Sequence, residues 1–405
     1  MAESNTFAER SREWLTRRAR SLVLLALCAV LTDIRAAHTN RIVPDAHCCD
    51  HLFYRSMAFN FFTVTRPELD NPARFKTGLY ADPYLSGFMH RENRFNRQPP
   101  YCYRIVTPLL ARAINAVTGA SIEDSFYAIT VIALTLATFF VALTVHTLSR
   151  SFALAIVAAV AYTRFDAAFH FNLWDFLLTD PLAHVFVALS IYLMLTERVL
   201  AAVAVSLLGV FNRETQLLVL PCCVLIQLFA RRPLLPVVAG STAVVAVYFA
   251  FRAVVPVPID TYSLASTFHG VPAPAVAVEW LLYTFGVLLI STLVRLPTRL
   301  SNVALLPILI GACLSTLVST DWNRALVTGA PVALVVSFGV RPNSLLAAAL
   351  ALVPGLLFIE STYWPLTNRF ALLGATALNE IAFMLVMSRT QQRRGAQRAS
   401  VFTES

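Results

Sequence analysis

The chain has 405 residues, of which 57% are hydrophobic and only 14% charged, and its mean hydropathy is +0.65. A soluble domain carries about 25% charged residues, so these values exclude a string of water-soluble domains and indicate an all-α polytopic membrane protein. The formal net charge of +9 is almost wholly arginine, Lys76 being the single lysine. The arginines are spread along the chain, as topology signals are, and no nucleic-acid partner is expected.

Residues 1–20 form a basic tail with Arg10, Arg12, Arg17, Arg18 and Arg20. A short apolar stretch, Ser21–Leu31, begins the first transmembrane helix, expected over 21–37. A basic region before a short apolar one also describes a signal peptide. An uncleaved anchor is preferred, because no small-x-small cleavage site follows. Either reading carries the next segment across the membrane.

That segment, 38–123, is the one large hydrophilic part and is expected to be an extracytoplasmic loop. Within it, Ile105–Val117 is amphipathic and is expected to lie along the interface. Apolar runs then fill 124–388. They lie near Phe126–Leu148, Phe152–Tyr162, Pro181–Leu195, Val199–Phe211, Leu217–Ala230, Leu234–Phe251, Val278–Val294, Val303–Val318, Ala325–Val340, Leu345–Ile359 and Phe370–Met387. With the first helix that makes about 12 transmembrane helices. Several are short against the ~20 residues a crossing needs, so tilted or broken helices are expected. No internal repeat stands out. A second basic tail, 389–405, closes the chain.

With the N-terminus in the cytoplasm, every connection assigned to the inside carries arginine: Arg150, Arg198, Arg231 with Arg232, Arg295 with Arg299, Arg341, and the C-terminal tail. This meets the positive-inside rule, and the long first loop escapes it by its length. The same count places "FNRET", "TRFDAAFHFNLWDFLLTDP", "STDWNR" and "ESTYWPLTN" together on the outer side. Most acids, histidines and tryptophans therefore gather at one surface, where a site is expected.

Asp45 and Asp50 are the acids of "PDAHCCDHLFYRSMA", which opens the loop. Asp50, Tyr54 and Ala58 recur at four-residue steps and would share one helix face. Asp50 reads either as a general base above the membrane or as a solvated loop acid. His47, Cys48, Cys49 and His51 lie too close together to converge on one zinc ion, and no metal ligands are assigned. Of seven cysteines, Cys48, Cys49 and Cys102 share the polar segment, where an oxidising space would allow a disulfide. Arg104 and Arg112 flank the interfacial helix, as snorkelling side chains or as phosphate contacts. In "LTDPLAHVF", Pro181 suits a first helical turn, which makes Thr179 or Asp180 a cap. His184 lies one turn below Asp180 on the same face, either packed or binding. Arg213 and Glu214 are adjacent, cannot face each other on a helix, and each needs its own partner. In "STDWNRAL", Asp321 reads as a cap, Arg324 as a first-turn cation and Trp322 as an interfacial anchor. Helix N-termini at the outer side favour anions, so with Arg104, Arg213 and Arg324 an outer-leaflet phosphate is the ligand these residues suggest.

The organisation resembles the GT-C superfamily of membrane glycosyltransferases: a short cytoplasmic N-terminus, one span, a long acid-bearing outer loop, then many spans. The short motifs "YRIVTPLLA", "DPLAHVF", "NRET" and "DWNR" resemble those of uncharacterised bacterial multi-span proteins grouped with that fold. The resemblance implies a GT-C-like fold and a polyprenyl-phosphate sugar donor in the lipid. It also implies an early loop acid as base, with Asp50 the best match and Asp45 the second. The adjacent acid pair usual in that superfamily is absent from the start of the loop. Glu68 with Asp70 and Glu123 with Asp124 are the nearest substitutes, so a divalent cation is an optional cofactor. The implied substrate-binding set is Arg104, Asp180, His184, Arg213, Glu214, Asp321 and Arg324. The expected place is a bacterial plasma membrane with both termini cytoplasmic. A transporter or lipid flippase is the second reading, and a non-catalytic membrane protein the third.

Overall fold

The computed structural model describes residues 2–41, 54, 58, 103–254, 272–317, 322–361 and 366–403. Every regular element among them is helical. In chain order these are α1 (Ala2–Ala37), α2 (Val106–Thr118), α3 (Ile122–Ser149), α4 (Phe152–Tyr162), α5 (His170–Trp174), α6 (Asp180–Leu195) and α7 (Val199–Gly209). A 3-10 turn, Glu214–Leu218, leads into α8 (Val219–Phe229), followed by α9 (Leu235–Val254), α10 (Pro274–Phe285), α11 (Leu288–Arg295) and α12 (Leu300–Val303). Then come α13 (Leu306–Ser315), α14 (Trp322–Val327), α15 (Ala330–Phe338), α16 (Leu345–Ser361) and α17 (Leu366–Thr403). The arrangement is compatible with an all-α membrane protein.

Helix α3 is the central element, and local chemistry explains its bounds. Ser121 caps it, accepting from the Asp124 N–H at 3.0 Å, while its own hydroxyl donates to the Asp124 carboxylate at 2.7 Å. Glu123 and Asp124 in the first turn suit the positive end of the helix dipole. The helix ends where Arg150 turns left-handed, φ 58°, and returns its N–H to the His146 carbonyl. Small residues at Ala133, Ala137, Ala158, Ala161 and Ala188 sit in the common core and let α3, α4 and α6 approach closely. At Gly355 of α16, a methyl group would collide with Val157 of α4 and Phe338 of α15.

Not every apolar run becomes one long helix. Ile122–Ser149, Leu235–Val254 and Ala371–Arg389 are long and apolar enough to span, and Pro274–Phe285 with Leu288–Thr298 would make a fourth, bent by 97°. Six further apolar runs form helices of 10–17 residues, and Ala325–Val340 divides into α14 and α15, of 6 and 9 residues, all below the ~20 needed for a straight crossing. The breaks have identifiable causes. Gly286 adopts φ 51° between α10 and α11. Gly329 and Pro331 interrupt the run that becomes α14 and α15. The polar Asn212–Glu214 stretch stops α7.

Contacts between turns define two ends of the bundle. At one end, Arg35 reaches Asp166 at 3.4 Å, Thr39 meets His170 at 3.3 Å, and Phe165 stacks near Phe358. At the other, Glu197 pairs with Arg232 at 2.8 Å, Arg299 donates to the Gly339 carbonyl at 3.0 Å, and Leu148 packs on Gly339. Successive helices thus run between an end rich in mixed polar groups and an end dominated by arginine.

Arg295 departs from the expectation that it marks a loop. Arg295 is the last residue of α11, and its side chain is completely buried. Its guanidinium grips the Glu380 carboxylate of α17 through Nε at 2.8 Å and Nη2 at 2.7 Å, and Nη1 donates to the Ser337 carbonyl of α15. The Ser291 hydroxyl donates to the same carboxylate at 2.6 Å, and the Phe383 ring lies 4.2 Å from the guanidinium.

Two measurements follow from this architecture. Glu380→Ala leaves a buried guanidinium without its counter-charge and is expected to cost about 3–5 kcal/mol in unfolding; the double variant Arg295→Met/Glu380→Leu should recover most of it in melting of the detergent-solubilised protein. Single cysteines replacing exposed Thr118 and Arg198, at opposite ends, should react with an impermeant maleimide from opposite sides of sealed vesicles in a cysteine-free background.

Candidate functional site

The mixed polar end is built around the turn after α7. Both Ile105 and Val106 donate backbone N–H groups to the Phe211 carbonyl, at 2.7 and 3.3 Å. Buried Asn212 accepts from the Thr107 hydroxyl at 2.6 Å and donates to the Thr179 carbonyl at 2.8 Å. One asparagine thereby ties the start of α2 to the start of α6. Below the turn, Gln216 donates to Ser190 at 3.1 Å and to Ser206 at 3.4 Å, and its side chain lies against Gly209, where a methyl group would collide with it.

This scaffold aims Arg213 and Glu214 apart. Arg213 has an extended backbone, φ −161° and ψ 137°, immediately before the 3-10 turn that starts at Glu214. Its guanidinium hydrogen-bonds one oxygen of Asp180. The other oxygen of Asp180 accepts from Arg324 Nε at 2.7 Å. Glu214 turns the opposite way, and its Oε2 accepts from Nε and Nη2 of Arg104, both at 3.0 Å. Arg104 also donates to the Tyr54 hydroxyl at 2.8 Å. The Arg324 guanidinium lies 5.4 Å from the Phe171 ring, within cation–π range.

Five of the residues expected at the site, Arg104, Asp180, Arg213, Glu214 and Arg324, are therefore brought together. The expected separate partners for Arg213 and Glu214 are present. Asp180 makes no capping hydrogen bond, nor does Thr179; the Asp180 side chain, 2% exposed, is committed to two guanidiniums instead. Arg104 is paired rather than snorkelling, whereas Arg112 is exposed. His184 lies one turn beyond Asp180, away from these ion pairs, with its ring against Tyr162 at 6.2 Å. Trp322 stacks on Trp280, centroids 5.1 Å apart and planes 5° from parallel. Asp45, Asp50 and Asp321 lie outside the described residues, as does the His47–His51 segment. Tyr54 and Ala58, which share the sequence face of Asp50, are both buried against Phe126 and Ile129. Asn212, Thr107, Tyr54 and Phe171 complete the site; Asn212 lies in the quoted "NRET", Thr107 in "YRIVTPLLA" and Tyr54 at helical spacing from Asp50, but no individual role was assigned to them from the sequence. Among the described residues, no three His, Cys, Asp or Glu side chains gather as metal ligands.

The charges are crowded: the guanidiniums of Arg104, Arg213 and Arg324 share the carboxylates of Asp180 and Glu214. Burial lowers the Arg213 pKa, and the charges of Arg104 and Arg324 lower it further. Burial also opposes ionisation of Arg104, but Glu214 and Tyr54 outweigh it and hold that guanidinium well above the ordinary arginine value. A bound anion would relieve the repulsion. Glu214 Oε1 is buried without a hydrogen-bond partner, so the existing network does not use all its acceptors. The site is also largely buried: the side chains of Arg213 and Arg324 are each 12% exposed, that of Arg104 14% and that of Asp180 2%.

No family model, curated protein or solved structure matches the chain. The site must be read from its own chemistry.

Removing Asp180 tests that chemistry. Asp180→Ala leaves Arg213 and Arg324 facing each other in a water-poor setting, and is expected to cost about 3–5 kcal/mol of stability. Asp180→Glu, which keeps the charge, should cost less; thermal melting at constant detergent and salt compares them.

Proposed function

We propose that the protein is a membrane glycosyltransferase that takes a sugar from a polyprenyl-phosphate donor at the extracytoplasmic face. The observation that carries this reading is the convergence of Arg104, Arg213 and Arg324, from three separate parts of the chain, on one largely buried cluster. Guanidinium forks match phosphate oxygens in geometry as well as charge.

In this reading the acceptor hydroxyl attacks the anomeric carbon as the bond from that carbon to the phosphate oxygen breaks. The arginines stabilise the departing polyprenyl phosphate, which gains negative charge. Asp50, or Asp45 beside it, takes the hydroxyl proton. The topology has about twelve crossings, several of them broken, with both termini cytoplasmic in a bacterial plasma membrane. A divalent cation is optional in this scheme.

A lipid flippase is the second reading, favoured by the 97° break between α10 and α11, since transporters build substrate sites on interrupted helices. Sugar transfer to an acceptor by the reconstituted protein supports the first reading; movement of the phospholipid between leaflets without transfer supports the second.

The decisive binding measurement compares wild type, Arg213→Lys and Arg213→Ala at equal folded protein, titrated with a polyprenyl monophosphate. Lysine keeps the charge but loses the planar fork. Loss of one charge-assisted hydrogen bond corresponds to about a tenfold weaker Kd, and alanine should weaken binding more. Equal binding by all three would remove Arg213 from the phosphate site.

A further inference from the structure

We propose that Tyr162 and His184 form a second, uncharged subsite, one that receives the sugar ring carried by the lipid phosphate; this rests on the phosphate-site reading above. Tyr162 closes α4 and His184 belongs to α6, and the two rings meet edge to face, with centroids 6.2 Å apart and planes at 67°. Tyr162 is fully buried and His184 is 4% exposed. Neither the Tyr162 hydroxyl nor His184 Nδ1 has a hydrogen-bond partner. In an interior poor in water an unsatisfied polar atom is costly, and a phenylalanine would fill the Tyr162 position without that cost. Two such atoms, carried by rings that meet edge to face from different helices, point to a ligand that supplies their partners.

The position suits a sugar attached to the phosphate. His184 follows Asp180 by one helical turn, about 5–6 Å, and Asp180 holds the two guanidiniums Arg213 and Arg324. A hexosyl ring bonded to a phosphate there extends its hydroxyls over about that distance. The surroundings suit it too. Phe165 and Phe169 flank Tyr162, with centroids at 6.3 and 5.7 Å. Apolar aromatic walls carrying a few convergent polar atoms make a site selective for orientation. A tyrosine hydroxyl and an imidazole nitrogen can each donate or accept, which matches sugar hydroxyls and offers nothing specific to a bare acyl chain.

The test measures Kd for two probes, a polyprenyl monophosphate and its hexosyl ester, on wild type, Tyr162→Phe and His184→Gln, with free hexose as a competitor. The monophosphate affinity is expected to stay unchanged in both variants, while the ester binds about tenfold more weakly. Tyr162→Phe should melt at or above the wild-type temperature, because it deletes an unsatisfied hydroxyl. The subsite is overturned if the variants bind the ester as wild type does, or if Tyr162→Phe melts far below it, which would make the hydroxyl structural. Variants that lose only competition by free hexose would assign the pocket to an acceptor and overturn the donor assignment. Wild type that binds neither lipid would overturn the phosphate reading and this subsite with it; wild type that binds the monophosphate and gains nothing from the hexose overturns the subsite alone.

Discussion

The Asp180 carboxylate is the interaction on which the polar end of this molecule depends. It is almost completely buried, yet it gives one oxygen to Arg213 and the other to Arg324. Those arginines come from the turn after α7 and from α14, so a single carboxylate fixes two distant parts of the chain against the start of α6. Without it, two positive charges would meet in a low-dielectric setting, where repulsion is strong. A carboxylate bridging two guanidiniums also has much the same demands as a phosphate bridging them. The residues that hold the fold together here are thus chemically those that would recognise a phosphate-bearing lipid.

Around that ion pair, several buried side chains tie together elements remote in sequence. Asn212 links Thr107 to Thr179, Gln216 links Ser190 to Ser206, and Arg104 links Tyr54 to Glu214. Apolar helices in lipid gain little from the hydrophobic effect between one another. Close packing of alanines in the core and these polar ties therefore carry the specificity of assembly. Tyr162 and His184 are informative because each leaves a buried polar atom without a partner where two helices meet.

Much of this was legible in the chain itself. The adjacency of Arg213 and Glu214 required different partners, and the arginine count placed Arg104, Asp180, Arg213 and Arg324 at the same end. Pairings across more than a hundred residues, such as Thr107 with Asn212, leave no local trace, since neither residue is unusual where it stands. The pattern before Pro181 suits a cap at Thr179 or Asp180, and Thr179 takes the N-cap position; the two arginines that claim the Asp180 oxygens are tertiary neighbours that no local pattern announces. Arg295 was misread as a loop marker because hydropathy gives no sign of which way a terminal helical side chain points. The broken helices had partial signals in Gly286, Gly329 and Pro331, but apolarity alone does not distinguish a bent segment from a straight one.

The buried pair of Arg295 and Glu380 also bears on how the protein is made. The two residues are separated by 85 positions, so at about 5–20 residues per second of synthesis the arginine leaves the ribosome roughly 4–17 s before its carboxylate. During that interval α11 carries an uncompensated cation. It must wait in an aqueous or protein-lined vestibule, such as the insertion machinery provides, until α17 emerges. Final consolidation of α11, α15 and α17 is then a late, post-translational event, and a chain stopped short of residue 380 would present quality control with a helix that lipid does not readily accept.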